Sequence, residues 1–295
     1  MTNAVTHEGF ILVTGGRVWY QIVGSGPGLP LLVLHGGPGL PHDYLEPLAS
    51  LADERPVVFY DQLGCGKSDR PDDAGLWRME RFVEEVGQVR AALQLDHIHL
   101  LGHSWGSMLA MDYALTCPPG LMSLVLASPI LSTARYHSDL QRLRSELPSE
   151  VQDTLGRHEA AGAFEADAYQ AALQAFFSRH LCRLDPPPEP LVRTWEGAGG
   201  AVYQTMRGPS EFVMTGNLSG YERTERLPEI TVPLLLTCGH HDWATPEATG
   251  WYQSLAPGAQ LVTFEQSAHL PHLEEAHAYL QTLRDFFHRV EEQML

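Results

Sequence analysis

Short apolar runs alternate with amphipathic stretches along most of the chain. Each run is nearly continuous in leucine, valine and isoleucine, and proline, glycine or polar turn residues bound it. Runs of this kind are typical of strands that helices cover on both faces. The predicted strands are Leu31–Leu34, Val57–Tyr60, Ile98–Leu101, Leu121–Ala127, Leu234–Cys238 and Leu261–Phe264. Their succession predicts an α/β fold with a mainly parallel sheet and helices on both faces.

Apolar residues also recur at helical spacing in two places. These residues are Phe82, Val86, Val89 and Leu93, and later Leu280, Leu283, Phe287 and Val290. Near the start of the chain, Phe10–Val13 and Arg17–Val23 flank a pair of glycines. Two short apolar segments joined by a glycine turn predict an antiparallel hairpin at the edge of the sheet.

The alternation stops in the middle of the chain. The interrupted stretch contains a helical segment at Tyr169–Leu181, a proline-rich break at Pro186–Pro190 and a loop-like segment at residues 199–212. An insertion between two strands of an open α/β sheet most simply forms a helical cap over the strand ends, where such sheets bind ligands. We therefore predict a core domain of residues 1–130 and 231–295 and a cap domain of residues 131–230.

Composition narrows the classes of partner and chemistry. The 295 residues carry 36 acidic and 19 basic side chains, a formal net charge of −17. So acidic a chain repels phosphate backbones and anionic lipids, which argues against nucleic acid and membrane partners. Lys67 is the one lysine, and the four cysteines are too scattered for a zinc site or a disulfide framework. With no signal-peptide pattern and no membrane-spanning apolar run, the expected location is the cytoplasm.

The clearest chemical motif is G-x-S-x-G at Gly102–Gly106, which follows one predicted strand and precedes a helical run. In that setting the motif predicts a nucleophile elbow, in which flanking glycines permit a tight turn around Ser104. A serine hydroxyl needs a base, and the base needs an orienting group. In this architecture an acid and then a histidine follow later strands, which gives Asp242 and His269. A metal site made with the neighbouring histidines His240, His241 and His272 is a weaker alternative, because it leaves Ser104 without a base.

A second motif, HGGPG at His35–Gly39, directly follows another predicted strand. Consecutive glycines let the backbone come close to a substrate, which makes Gly36 a candidate contact. A backbone amide in such a turn can also stabilise an oxyanion. We predict an oxyanion hole made by the N–H groups of Gly37 and Trp105, the alternative for HGGPG being an ordinary tight turn.

Longer motifs resemble the proline iminopeptidase family of α/β-hydrolases, closest to its tricorn-interacting aminopeptidase branch. They are HGGPGLPHDYL at His35–Leu45, VVFYDQLGCGKS at Val57–Ser68, GHSWG at Gly102–Gly106, VYQTMRGPSEFVMTGNL at Val202–Leu218, GHHDWATP at Gly239–Pro246 and SAHLPHLE at Ser267–Glu274. HGGPG followed by DQxGxGxS is much more specific than G-x-S-x-G alone. The resemblance implies an enzyme that releases an N-terminal amino acid, often proline, from short peptides beneath a helical cap.

The resemblance also implies roles for single residues. It makes Ser104, Asp242 and His269 the catalytic triad, and it assigns Glu211 to binding the free amino terminus of the substrate. A second family glutamate commonly follows the triad aspartate, where this chain has Trp243. That difference favours small esters or amides as further substrates, although the ring face of Trp243 can attract an ammonium group.

Two cap residues keep two interpretations each. Glu211 either binds the substrate amine or braces its own loop by accepting backbone N–H groups. Tyr203 either packs against the first side chain of the substrate or is an ordinary aromatic residue of the cap core.

Three functions follow from these features. The leading hypothesis is a serine aminopeptidase that acts through an acyl-enzyme on short peptides or aminoacyl small molecules. The alternative is an amino-acid amidase or small-ester hydrolase with the same triad. A non-enzymatic receptor is disfavoured, because a receptor has no need of all three triad residues. No sequence feature implies a cofactor or a metal ion.

Overall fold

The computed structural model describes residues 6–293, which fold around one eight-stranded sheet. The strands are β1 (Thr6–Val13), β2 (Gly16–Val23), β3 (Leu31–Leu34), β4 (Val57–Tyr60), β5 (Ile98–His103), β6 (Leu121–Ala127), β7 (Leu234–Gly239) and β8 (Gln260–Phe264). Their order across the sheet is β1-β2-β4-β3-β5-β6-β7-β8. The pairs β1–β2 and β2–β4 are antiparallel and the other pairs are parallel. The predicted α/β fold with a mainly parallel sheet is confirmed.

Every apolar run that predicted a strand forms one, and the predicted hairpin lies at the sheet edge. The hairpin is longer than predicted, because β1 begins at Thr6 and pairs with Val23. Polar residues join this ladder through backbone hydrogen bonds, which a hydrophobic pattern does not reveal. β5 likewise runs on to His103, so that it reaches the next residue, Ser104, without an intervening loop.

The described residues also form ten α-helices. They are α1 (Met79–Ala92), α2 (Trp105–Ala114), α3 (Thr133–Ser145), α4 (Ser149–Ala160), α5 (Asp167–His180), α6 (Glu189–Glu196), α7 (Gly200–Met206), α8 (Pro246–Leu255), α9 (Pro271–Glu274) and α10 (Ala276–Glu292). Short 3₁₀ helices span Asp43–Leu51, Ala74–Leu76 and Thr224–Glu229.

Helices cover both faces of the sheet, as the continuous apolar strands require. Leu32 and Leu34 of β3 belong to the same buried cluster as residues of α1 and α2. Leu31 and Val33 belong to a second cluster, with residues of the 3₁₀ helix Asp43–Leu51 and of α10. Because successive side chains of a strand point to opposite faces, neither face of β3 meets water.

Helices α3 to α7 lie between β6 and β7, within residues 131–230, which we call the cap. The expected loop at residues 199–212 is wrong for its first half, because α7 occupies Gly200–Met206. Val202 and Met206 lie four residues apart and are fully buried, so packing stabilises a helix whose glycine-rich start gives no helical signal. The division into core and cap domains at residues 131 and 230 stays a prediction.

The cap is fastened to the core close to the HGGPG segment. The backbone N–H of Tyr44 donates to Thr194 Oγ1 of α6 at 2.9 Å. A second hydrogen bond joins cap and core: the Asn217 side chain of the cap donates to the backbone oxygen of Trp77 at 2.7 Å. In the described part of the chain, none of the helices combines the length and the apolar character needed to cross a membrane.

Candidate active site

The residues singled out from the sequence gather around one cavity of about 270 Å³ between the strand ends and the cap. Its mainly apolar wall includes all but one of them. Those in the wall are Gly36, Gly37, Ser104, Trp105, Tyr203, Glu211, Trp243 and His269. The exception, Asp242, is buried behind His269. Residues from four loops and the cap therefore meet at one place, as an enzyme site requires.

Ser104 occupies a strained turn between β5 and α2. Its φ is +56°, a value that residues other than glycine rarely adopt. The turn is crowded: a Cβ on Gly102 would lie 2.0 Å from the Gly106 oxygen, and a Cβ on Gly106 would lie 2.2 Å from the Leu34 oxygen. Only glycine fits at either position. The backbone thus holds Ser104 at the N-terminus of α2, in the geometry of a nucleophile elbow.

His269 and Asp242 form a buried hydrogen-bonded pair beside this turn. The His269 Nδ1–H donates to Asp242 Oδ1 at 2.7 Å. The backbone N–H of Ala244 donates to the same oxygen at 2.7 Å and fixes the carboxylate. Because the proton is on Nδ1, the Nε2 lone pair of His269 is available to accept a proton, as a general base needs.

The two predicted oxyanion donors, the N–H groups of Trp105 and Gly37, belong to residues that line the cavity. Trp105 is the first residue of α2, so its N–H has no acceptor within the helix. Gly37 has φ +119° and lines the cavity. Gly36 differs, because its N–H donates to the Tyr44 hydroxyl at 2.8 Å. Gly36 therefore lines the cavity, but its N–H is already used and does not face a ligand as a free donor.

Glu211 belongs to a buried polar cluster. The Tyr136 hydroxyl donates to Oε1 at 2.6 Å, and the Tyr203 hydroxyl donates to Oε2 at 3.1 Å. Arg207 forms an ion pair with the carboxylate and donates to the backbone oxygen of Glu211 at 2.9 Å. Burial alone raises the pKa of Glu211, but the Arg207 charge and the two hydroxyls outweigh it and hold the pKa below its usual range. Glu211 is thus ionised at neutral pH, and Arg207 offsets its charge.

Comparison with known proteins places this geometry in a family. Residues 30–276 match the family model described as the α/β hydrolase fold. Proline iminopeptidase of Heyndrickxia coagulans is 48% identical over 285 residues, which cover 96% of this chain and 99% of that protein. The chain belongs to the proline iminopeptidase family of α/β-hydrolases.

Solved structures agree with this family membership. The crystal structure of proline iminopeptidase from Mycobacterium smegmatis has a TM-score of 0.91 at 34% identity, covering 98% of this chain and 100% of that one. The crystal structure of VinJ has a TM-score of 0.93 at 35% identity, covering 96% of this chain and 99% of that one. The likeness extends over cap and core alike.

In this family member Trp243 forms an aromatic wall next to the candidate base. Its ring stacks on Phe176 with centroids 6.0 Å apart and planes 12° apart. It also lies 4.7 Å from the His269 ring, measured between centroids. The indole is uncharged and only 6% exposed, so it makes this part of the cavity apolar.

Sequence reasoning missed a hydrogen-bonded chain beneath the site. The Tyr44 hydroxyl, which accepts from Gly36, donates to His103 Nδ1 at 2.7 Å. His103 Nε2–H donates in turn to the backbone oxygen of His269 at 2.8 Å. Burial, with His269 and His272 nearby, holds the pKa of His103 well below its usual range, so the ring stays neutral. The chain joins the HGGPG loop, the elbow and the histidine loop.

Arg207 and Tyr136 were also missed, although Arg207 lies within the quoted cap motif, four residues before Glu211. Among the described residues, the Glu211 carboxylate accepts hydrogen bonds from side chains, and not from the backbone N–H groups of its own loop that the second interpretation requires. Among residues 6–293, histidine, cysteine and acidic side chains form no group of three that could hold a metal ion.

Proposed function

We propose that this serine hydrolase releases the N-terminal residue of short peptides, proline above all, with Ser104 as nucleophile. The observation that carries the proposal is that the elbow serine lines the same cavity as His269, whose ring is hydrogen-bonded to the buried Asp242. The similarity to proline iminopeptidases over nearly the whole chain supplies the substrate class.

The reaction proceeds in two halves. Ser104 Oγ attacks the first carbonyl carbon of the peptide while His269 Nε2 takes its proton and Asp242 holds the imidazole. The N–H groups of Gly37 and Trp105 stabilise the oxyanion. His269 then gives the proton to the leaving amine, and the C–N bond breaks to leave an aminoacyl ester on Ser104. Water, activated by the same histidine, hydrolyses this ester.

Glu211 is proposed to receive the amino terminus of the substrate. A carboxylate has about four acceptor positions, and Tyr136, Arg207 and Tyr203 use three of them. The remaining position on Oε2 can accept a hydrogen bond from the substrate ammonium. Tyr203 lies in the cavity wall beside this oxygen, and we propose that it packs against the first residue of the substrate.

An amidase or small-ester hydrolase is the second candidate, and one observation favours it. Arg207 offsets the charge of Glu211, and the uncharged Trp243 lines the same cavity. The cavity therefore has less negative potential than a site that depends strictly on an ammonium group. We propose a cytoplasmic setting with short peptides or aminoacyl small molecules as substrates and no cofactor.

Replacement of Ser104 tests the nucleophile. Ser104→Ala is expected to lower kcat on proline arylamide by about 10⁴-fold or more, since triad members act as a unit. Ser254→Ala, in an exposed part of α8, is the matched control and should leave kcat unchanged. Fluorophosphonate labelling should disappear in the first variant only. Labelling that survives in Ser104→Ala would rule out the proposed nucleophile.

Replacement of Glu211 separates the two candidate functions. Glu211→Gln is compared with wild type on proline arylamide and on its N-acetyl counterpart. A charge-assisted hydrogen bond contributes about 1.5–3 kcal/mol, so loss of amine binding lowers kcat/KM about tenfold or more on the free amine and leaves the acetylated substrate unaffected. Equal losses on both substrates would assign Glu211 to the structure of the cap and favour the amidase or esterase.

A further inference from the structure

A second cavity of about 240 Å³ adjoins the first. The two share part of their walls, formed by Phe177, Leu181 and Trp195. The second cavity lies between the end of α5 and the loop that leads into α6. The reaction proposed at Ser104 assigns no part of the substrate to this second cavity.

The second cavity lies on the side of His269. The backbone N–H of His269 donates to the backbone oxygen of Leu181 at 3.1 Å, so the wall between the cavities is joined to the backbone of the residue that carries the candidate base. A histidine that protonates the leaving amine must face that amine. The leaving part of a peptide therefore extends from Ser104 past His269 toward Leu181, whereas the released residue lies toward Glu211.

A cationic side chain stands at the far end of this path. Arg183 lines the second cavity and is exposed to solvent. Its backbone N–H donates to Glu274 Oε1 at 2.7 Å, which fixes the loop that carries it. Within residues 6–293 its guanidinium has no ion-pair partner, in contrast to Arg193 of α6, which pairs with three carboxylates.

The spacing along the chain places Arg183 close to the shared wall. Arg183 is two residues from Leu181, and two extended residues span at most about 7 Å. A leaving peptide that passes Leu181 can therefore bring its C-terminal carboxylate to Arg183.

We propose that the second cavity is the subsite for the leaving peptide and that Arg183 binds its C-terminal carboxylate. This proposal rests on the peptidase function proposed above. It makes short peptides with a free C-terminal carboxylate better substrates than their amides. Asp185 lines the same cavity and opposes a carboxylate, so the two side chains should act with opposite sign.

The test compares Pro-Leu-Gly with Pro-Leu-Gly-amide. Arg183→Gln is expected to raise KM for the free acid about threefold to fivefold, the range of an exposed ion pair, with kcat nearly unchanged and the amide unaffected. Asp185→Asn should lower KM for the free acid. Arg179→Gln removes the same charge from an exposed site on α5 that lines neither cavity, and it should change nothing.

Proline arylamide separates failure of this proposal from failure of the peptidase function, because it has no carboxylate. If wild type cleaves the arylamide but does not distinguish Pro-Leu-Gly from its amide, the subsite is wrong and the peptidase stands. Equal effects of Arg183→Gln on acid and amide would likewise overturn the role of Arg183. If neither arylamide nor peptide is cleaved, the peptidase function itself fails.

Discussion

At the scale of single residues, the site depends on side chains that never touch the substrate's scissile bond. The Tyr44 hydroxyl accepts from Gly36 N–H and donates to His103, which holds the backbone oxygen of His269. One phenol thus joins the HGGPG loop to the loop of the candidate base through His103. Hydrogen bonds inside a buried network of this kind are strongly coupled.

Tyr44→Phe should therefore lower kcat on proline arylamide about tenfold or more, with KM little changed. The change leaves a buried N–H without an acceptor, a loss of about 1–3 kcal/mol. Steady-state kinetics separates kcat from KM. Tyr20→Phe removes a hydroxyl from β2 that is hydrogen-bonded to His7 at 3.4 Å, outside the cavity wall, and should leave both constants as in wild type. A rise in KM alone would show that Tyr44 shapes the cavity and does not position the reacting groups.

The sequence predicted the candidate triad but not this network. Ser104 directly follows β5, and Asp242 and His269 lie in the loops that follow β7 and β8, where motif and fold coincide. Tyr44 and His103 also lie within the quoted motifs, but their contacts join chain segments far apart in sequence, which a motif does not reveal. The pairing of Arg207 with Glu211 escaped for a related reason: a local pair at this spacing is commonplace on helices, and only burial in the cavity wall gives it meaning.

At the scale of elements, the close approach of α2 to the sheet demands glycine in the elbow. A Cβ on Gly106 would lie 2.2 Å from the Leu34 oxygen of β3, a backbone atom that cannot move aside without disturbing the sheet. In α1, Gly87 has open space around its position, with nothing within 4 Å of an added Cβ. The two helical glycines therefore have opposite expected responses to alanine.

Gly106→Ala should destabilise the fold by several kcal/mol and abolish activity, since the turn at Ser104 must open to make room. Gly87→Ala should raise the free energy of unfolding by about 0.5–1 kcal/mol, because alanine is the better helix former, with activity intact. Urea unfolding followed by circular dichroism measures both. If Gly106→Ala is as stable and active as wild type, the packing described for the elbow is incorrect.

Elements of the core were easier to predict than those of the cap. Strands such as β3 and β4 are apolar on both faces, so their bounds follow from hydrophobicity alone. In the cap, α7 is short, begins at a glycine pair and is stabilised by the burial of Val202 and Met206. Its helical state depends on contacts with the rest of the molecule, which the local sequence does not contain.

At the scale of the whole molecule, buried histidines make stability depend on pH. Burial lowers the pKa of His35 and of His99 to about 4 and that of His272 to about 3. In the unfolded chain the pKa of each histidine is about 6.5. Between these values the unfolded state binds more protons, so stability is fully present above about pH 6.5 and falls as the pH falls toward 4.

Each such histidine can remove up to about 1.4 kcal/mol per pH unit in this window. The free energy of unfolding should therefore fall by several kcal/mol between pH 7 and pH 5, as urea titrations would measure. His99→Gln keeps hydrogen-bond partners for Ser123 and Glu291 but cannot take up a proton. The free energy of unfolding of this variant should therefore fall less steeply with decreasing pH. Parallel slopes for wild type and variant would contradict this origin of the acid sensitivity.

The place of the cap in the chain has a consequence for the time course of synthesis. β6 and β7 are neighbours in the sheet, yet residues 128–233 separate them along the chain. A ribosome that adds about 5–20 residues per second needs roughly 5–20 s to make that stretch. Until then Leu124, Val125 and Leu126 present an open, apolar strand edge that another nascent chain can capture. The yield of folded enzyme therefore depends on the delay between the synthesis of β6 and the synthesis of β7.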